Sequence, residues 1–354
     1  MAYSTIPKGS LHMNPVIYTG NGSADRAITG AGFAPNWVWI KKRSSADVHY
    51  IFDSVRGADI QLQSNSNAAQ YDYSGDANRS LTAFDSDGFT LGTNEGVNHN
   101  SQTFVSWNWK GNGTGSSNTN GSITSTVSAN ATAGFSIVKW TGSGANATVG
   151  HGLGVTPSML IVKNATGTGN WRIWNQNLSS AQTLELNATS GALTSAGQFN
   201  SSATFNSNVF SVGGEGDTNE SSSTIVAYCF SEIKGFSKFG TYVGNGSTDG
   251  TFVYTGFKPA FILQKRYDNN GEGWGMFDTT RSPINESKNM LLANSNALED
   301  TSNAARIDFL SNGFKWRTTD TWFNPNGGSC IYMAFAENPF VATSGTSAIP
   351  VTAR

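Results

Sequence analysis

Groups that commonly carry catalysis or bind metals are sparse in this sequence and scattered along it. No metal-ligand spacing relates the four histidines, which are His12, His49, His99 and His151. The sequence also lacks the nucleophile elbow of hydrolases, the phosphate-binding P-loop and the dinucleotide-binding glycine pattern. We therefore predict no catalytic, cofactor-binding or metal-binding residues, and we expect that the chain is not an enzyme.

Carboxylates leave one enzymatic alternative open. Two acids can hydrolyse a glycosidic bond, and such acids meet only in the folded chain. Asp53 and Asp278 occupy corresponding places in two repeated segments, and an arginine, Arg56 or Arg281, follows each of them three residues later. This spacing favours a structural ion pair. Residues 85–88, Asp-Ser-Asp-Gly, resemble the start of a calcium loop, but the rest of the ligand pattern is missing, so we predict a hairpin turn.

Tryptophan side chains are the best candidates for a binding role, because the apolar face of a sugar packs on an indole ring. The alternative is that these rings fill small cores, where aromatic side chains supply the largest buried area. Trp316 and Trp322 flank a turn-rich stretch and are the better candidates for exposure. Our candidate glycan contacts are Trp171, Trp174, Trp274, Trp316 and Trp322.

The elements that would position these residues occur three times along the chain. Each copy contains a Gly-x-x-Pro sequence, one further residue, four mostly apolar residues and a lysine; residues 256–265 are one example. A proline suits the first position of a strand, and a continuous apolar run indicates a strand that is covered on both faces. The equivalent prolines are Pro35, Pro157 and Pro259.

This central strand leads to two predictions about burial. The first is that one position of the repeat is buried in all copies, namely Trp39, Ile161 and Leu263. The second is that the lysines ending the strand reach solvent, namely Lys41, Lys163 and Lys265.

Further pieces recur after the central strand: a strand rich in aromatic residues, an Asp-Gly or Asn-Gly hairpin, and a final alternating strand. We therefore predict an all-β fold of three tandem β-sandwich domains, of jelly-roll or lectin-like type, built from a threefold internal repeat. The second and third copies are joined closely and should pack as a pair, whereas a flexible linker should separate them from the first. The predicted segments are an N-terminal arm at 1–15, repeat one at 16–110, a Gly/Ser/Asn linker at 111–134, repeat two at 135–232, repeat three at 233–340 and a C-terminal arm at 341–354.

Composition excludes several function classes. Charged residues make up 13% of the chain and the net charge is −2, so no basic surface for nucleic acid is expected. No apolar run has the length of a membrane span, and we expect neither membrane insertion nor a signal peptide. Cys229 and Cys330 are predicted to be free and buried, as suits a protein made in a reducing cytosol.

Several long phrases resemble a family of phage proteins that is common in marine viruses. They are NGSITSTVSANATAGFSIVKWTG, SKFGTYVGNGSTDGTFVYTGFKPAFIL, IDFLSNGFK and IYMAFAENPF. The resemblance extends over nearly all of residues 16–340. It implies a virion-associated or tail-type structural protein of a tailed bacteriophage, located in the virion after assembly in the host cytoplasm. It supplies no catalytic residue.

Three functions compete under this resemblance. The first is a tail-fibre or appendage adhesin that binds host surface glycan, with its binding surface on copies two and three. The second is a capsid decoration or tail connector protein, and the third is a polysaccharide-degrading enzyme. An exposed aromatic groove with carboxylates would favour an adhesin or an enzyme. The expected partners are further copies of the chain, other virion proteins and host polysaccharide. The copies should form a homo-oligomer, which would be a trimer if the protein is a fibre.

Overall fold

The computed structural model describes residues 4–200, 205–302 and 305–338, and nearly all of their regular structure is β. The all-β prediction is confirmed. Short strands joined by tight turns follow from a composition rich in Gly, Ser, Thr and Asn and poor in charge. The helices are single turns: a 3-10 turn at Gly9–Leu11, and α1 at Glu95–Asn98, α2 at Ala196–Phe199 and α3 at Gly216–Asn219.

The first unit, residues 13–109, contains one large and one small antiparallel sheet. The strands of the large sheet are β1 (Met13–Thr19), β3 (Trp37–Lys42), β4 (His49–Asp53), β5 (Gly57–Leu62), β6 (Tyr71–Asp72) and β9 (Thr103–Trp109), in the order β1-β9-β3-β4-β5-β6. Those of the small sheet are β2 (Arg26–Thr29), β7 (Leu81–Asp85) and β8 (Gly88–Leu91), in the order β2-β8-β7.

The second unit, residues 116–230, has a larger main sheet. Its strands are β10 (Ser116–Asn118), β11 (Ser125–Asn130), β12 (Phe135–Thr141), β14 (Met159–Asn164), β15 (Arg172–Asn175), β16 (Gln182–Glu185), β17 (Leu193–Thr194) and β19 (Thr224–Phe230), in the order β10-β11-β12-β19-β14-β15-β16-β17. The small sheet pairs β13 (Ala147–Gly150) with β18 (Val209–Val212).

The third unit, residues 237–338, follows the same plan. Its large sheet contains β20 (Ser237–Val243), β22 (Lys258–Arg266), β23 (Gly275–Asp278), β24 (Leu291–Leu292) and β27 (Ser329–Asn338), in the order β20-β27-β22-β23-β24. Its small sheet contains β21 (Phe252–Tyr254), β25 (Ile307–Leu310) and β26 (Gly313–Trp316), in the order β21-β26-β25.

The three large sheets share one strand order. In each unit one strand, namely β1, β12 or β20, pairs with the last strand, and the last strand pairs with the proline-led central strand. Corresponding residues occupy corresponding places, because Met13 lies opposite Trp109, Phe135 opposite Phe230 and Ser237 opposite Phe335. Superposition of the three units stays a prediction.

Each large sheet buries both of its faces. One face packs on the small sheet of the same unit, as where Val38 and Phe52 meet Phe89 in a first apolar cluster. The opposite face enters a core that all three units share and that includes Trp107, Tyr228 and Phe335 from their last strands. The central-strand prediction is confirmed, since the side chains of Trp39, Ile161 and Leu263 are fully buried.

The three units are not separated by a flexible linker, because they close on one another. Three hydrogen bonds between units form a cycle: the Trp171 Nε1–H donates to the Gln63 carbonyl at 2.9 Å, Trp274 Nε1–H donates to the Glu185 carbonyl at 2.8 Å, and His49 Nε2 lies 2.9 Å from the Leu292 carbonyl. The second unit thus bonds to the first, the third to the second and the first to the third.

The predicted boundaries also need correction. Residues 111–134 were expected to be a linker but contain β10 and β11, and β11 pairs along its whole length with β12. The low apolar content of this segment gave no sign of its strands, because backbone pairing at a sheet edge requires no apolar side chain. The predicted N-terminal arm at 1–15 includes the beginning of β1. The predicted C-terminal arm at 341–354 lies outside the described residues.

Candidate functional site

The repeated Asp-to-Arg spacing produces buried ion pairs at the turns that follow β4 and β23, as predicted. In the first unit, Arg56 Nε donates to the Asp53 carboxylate at 2.6 Å, and the Tyr228 hydroxyl from the second unit donates to the same oxygen at 2.8 Å. In the third unit, Arg281 Nε donates to Asp278 at 2.5 Å. The Trp107 indole of the first unit donates to that carboxylate at 2.9 Å. These acids therefore connect units and are not free for catalysis.

The electrostatics of these pairs fit a structural role. Burial disfavours the charged form of Arg56, but the charge of Asp53 together with the contributions of Tyr228 and the hydrogen bonds to both residues outweighs burial and raises the pKa of the guanidinium. Arg281 is also buried, and both Asp278 and Glu299 raise its pKa, with Glu299 accepting from Nη1 at 2.9 Å. The two arginines thus differ in one respect: Arg281 has a second carboxylate partner.

His49 is a buried link of the same kind. The Trp39 indole, which can only donate, lies 2.8 Å from His49 Nδ1, so Nδ1 is the acceptor and Nε2–H donates to the Leu292 carbonyl. Burial lowers the pKa of His49 well below its usual value, and the ring is neutral. The histidine therefore serves as a hydrogen-bond bridge between the first and third units.

The lysines at the ends of the central strands are buried, and the prediction that they reach solvent is wrong. Burial lowers the pKa of Lys41, Lys163 and Lys265 to about 8. Each ammonium turns back to a backbone carbonyl: that of Lys42 at 2.9 Å, Asn164 at 2.6 Å and Glu272 at 2.5 Å, respectively. The sequence places each lysine correctly at the strand end but does not show that its side chain binds the backbone there.

The five tryptophans do not form a sugar platform on the surface. Trp171, Trp274 and Trp316 are fully buried in the shared core, so their prediction as glycan contacts is wrong. Trp174 is half-buried and stacks on Phe205, with ring centroids 4.0 Å apart. Trp322 is half-buried and packs against the shared core beside Phe323. The large buried area of indole in closely packed sheets outweighs its use as a binding surface.

Two further predictions are confirmed, namely the hairpin turn at residues 85–88 and the free, buried cysteines. Residues 85–88 form the turn between β7 and β8, and the Asp87 carboxylate accepts from the backbone N–H groups of Gly30 and Gly32 at 3.1 and 2.6 Å. Cys229 and Cys330 are free and buried. Residues 4–200, 205–302 and 305–338 contain no cluster of three or more His, Cys, Asp or Glu side chains that could hold a metal ion.

A polar cleft of about 300 Å³ opens between the first and second units. One wall consists of Arg56 and Gln70 from the first unit, and the other consists of β10, β11, β12 and β19. The side chains on that second wall include the ammonium of Lys139 and the hydroxyls of Thr126, Thr141 and Thr224. Neither Asp nor Glu is among the described residues that line the cleft.

Strand register brings the polar groups of the cleft together. Thr126 on β11 lies opposite Lys139 on β12, and Thr141 on β12 lies opposite Thr224 on β19. Directly opposed side chains on a sheet have Cβ atoms about 5 Å apart. Lys139 Nζ donates to the Val55 carbonyl of the first unit at 2.9 Å, and this bond fixes the ammonium at the junction.

Sequence reasoning missed the cleft, although the repeat carries a signal for it. The place of Lys139 in its sheet is taken by Ile17 in the first unit and by Thr241 in the third, as the pairing with the last strands shows. The second unit is also the one whose first strand is covered by two additional strands, β11 and β10. In the second unit, the change to Lys139 and the additional strands β10 and β11 therefore occur at the same edge of the sheet.

Comparison with known families matches residues 8–339 to DUF7483, described as a domain of unknown function. The chain belongs to the DUF7483 family. No curated protein and no solved structure matches this DUF7483 chain. Among its described residues, no helix is long and apolar enough to cross a membrane.

Proposed function

We propose that this DUF7483 chain is a non-enzymatic protein of a tailed-bacteriophage particle, and that it acts as an adhesin in a tail fibre or appendage. The phage assignment is supported by the resemblance of its long sequence phrases. The adhesin role is supported by one observation: a cleft large enough for a small polar ligand lies where the second unit departs from the other two. Departures from a repeated scaffold frequently carry its binding function.

The cleft suits attachment because its framework is rigid. One wall consists mainly of paired strands, and the other is held by the hydrogen bonds of Arg56 to Asp53 and Gln70, so the polar groups are in place before a ligand arrives. The site is small and a single contact would be weak. Several copies in a symmetric fibre, as a homo-oligomer and most simply a trimer, would then give strong attachment to host polysaccharide through avidity.

Competition for the host cell tests this function. Purified full-length chain, added to the bacterium on which the encoding phage grows, is expected to bind the cells and to slow adsorption of the phage. The variant Lys139→Gln should lose most of this effect, whereas Lys238→Gln, a half-exposed lysine paired with Glu232, should keep it. Full competition by Lys139→Gln, or no competition by the unchanged protein, would contradict the proposal.

A capsid decoration or tail connector role is the second candidate, and the open sheet edges favour it. β1 and β20 are the outermost strands of their large sheets, whereas β11 covers the corresponding strand β12. Ile17 on β1 and Val243 on β20 are 46% and 55% exposed. An uncovered edge is a template for a strand from another protein. Binding of the purified chain to empty capsids, without binding to cells, would favour this role.

The third candidate, a polysaccharide-degrading enzyme, has less support. The acids that recur in two copies are buried in ion pairs within their own units, and the described lining of the cleft contributes no carboxylate. Glycoside hydrolysis usually requires two carboxyl groups that flank the bond to be cleaved.

A further inference from the structure

We propose that the cleft between the first and second units binds an acidic saccharide, one or two sugar units long, through the carboxylate of the sugar. This inference rests on the proposed function and specifies the class of glycan. It depends on which hydrogen-bonding groups the cleft offers and on where its charge lies.

Among its described residues, the cleft lining offers the ammonium of Lys139 and the amide of Gln70 as donors and no carboxylate, beside Ser and Thr hydroxyls that can donate or accept. An ammonium carries three N–H donors, and the Val55 carbonyl takes one of those on Lys139. The Gln70 side-chain oxygen accepts from Arg56 Nη1 at 3.4 Å, which leaves the amide NH2 group as the part of Gln70 that can serve a ligand. A ligand that fits such a lining must itself supply acceptors, and a carboxylate supplies more of them than a neutral hydroxyl does.

Lys139 is the charge that selects the ligand. The other cation at the cleft, Arg56, is neutralised by Asp53 at 2.6 Å and has its nitrogens bonded within the protein. Within the described part of the chain, the ammonium of Lys139 donates to a neutral carbonyl and forms no ion pair, so no carboxylate there offsets its positive charge. A charge-assisted hydrogen bond to a carboxylate is about twice as strong as a neutral one.

Hydroxyl side chains next to the ammonium favour a sugar ligand over a simple anion. Thr126 lies across the strand pair from Lys139, and Thr141 with Thr224 forms the next rung on the same sheet face. Threonine hydroxyls both donate and accept, as sugar hydroxyls do. The volume, about 300 Å³, is at the lower end of the range for small-molecule sites and suits one or two sugar rings.

Calorimetric titration of the full-length chain tests the inference with digalacturonate as the acidic probe, maltose as the neutral probe and sodium sulfate as the simple anion. Digalacturonate should bind at least ten-fold more tightly than maltose or sulfate. The variant Lys139→Gln should weaken digalacturonate binding about ten-fold, the expected loss for one charge-assisted bond. Lys139→Arg should stay within a few-fold of the unchanged protein, and Lys238→Gln should have no effect.

Equal affinity for maltose or for sulfate would overturn the acidic-sugar class, as would unchanged binding by Lys139→Gln. Thr141→Val, at an exposed position, provides a second variant should Lys139→Gln fail to fold, and it should weaken digalacturonate but not sulfate. Failure of the acidic-saccharide inference can be distinguished from failure of the proposed attachment function. If the chain binds host cells through Lys139 but ignores digalacturonate, the saccharide class is wrong and the attachment function stands.

Discussion

Replacing the buried aspartates should destabilise the protein to different extents, although the two ion pairs have the same local sequence spacing. Asp53→Asn keeps the size of the side chain but leaves the guanidinium of Arg56 buried without a counter-charge. Removing one partner of a buried pair costs about 3–5 kcal/mol of unfolding free energy. Asp278→Asn leaves Arg281 bonded to Glu299 at 2.9 Å, so we expect only the loss of a charged hydrogen bond, about 1.5–3 kcal/mol.

Urea denaturation followed by tryptophan fluorescence measures both losses. Glu95→Gln, at an exposed helix position, is the control and should leave the free energy of unfolding unchanged. The double variant Asp53→Asn with Arg56→Met removes the unpaired charge and should recover part of the loss caused by Asp53→Asn alone. A loss from Asp278→Asn as large as that from Asp53→Asn would refute the argument that Glu299 compensates.

Three further predictions follow from the buried strands. Lys265 has a pKa of about 8 in the folded chain and about 10.4 in the unfolded chain. Between these pH values the unfolded state binds more protons, so the free energy of unfolding rises with pH by up to about 1.4 kcal/mol per pH unit. Lys265→Met abolishes that gain, so the difference between variant and unchanged protein should vary from pH 8 to 10; a constant difference in urea titrations would contradict burial of the charge. Ile161→Ala should cost about 2–5 kcal/mol, against no measurable loss for the exposed Val155→Ala, and a cost below about 0.5 kcal/mol would contradict its place in the core. Calorimetry should show one cooperative transition for the whole chain, because the units share a core, whereas separate transitions would indicate independent domains.

Local pattern was enough to predict the strands that recur in the three copies. The apolar run after Pro259 and the alternation that places Trp107 and Trp109 on one face depend on a few neighbouring residues, and both are confirmed. The hairpin turn at residues 85–88 follows from its Asp-Gly sequence in the same way.

Contacts between units could not be predicted from local sequence pattern. Alternation shows that Trp107 is buried but not that its indole meets Asp278 of another unit. It likewise cannot show that the Lys163 side chain turns back to the Asn164 carbonyl instead of extending into water. Whether an aromatic ring such as Trp171 faces a sugar or a neighbouring sheet depends on packing between segments that are distant in the chain.

The candidate site illustrates the same limit. Lys139 differs from Ile17 and Thr241 at the same place in the sheet, and this difference is visible in the aligned copies. The cleft itself also needs Gln70 from the first unit and Thr126 from a strand whose sequence is typical of a linker. A cleft between units therefore appears only once the units are assembled.

The position of the chain in a phage particle is the measurement that tests the proposed function most directly. Antibodies against the purified chain, labelled with gold and applied to purified particles, are expected to mark the tail fibres or appendages in electron micrographs. The label should block adsorption to host cells when the antibodies are raised against the cleft around Lys139. Label on the capsid shell, or particles that carry no label, would contradict the account.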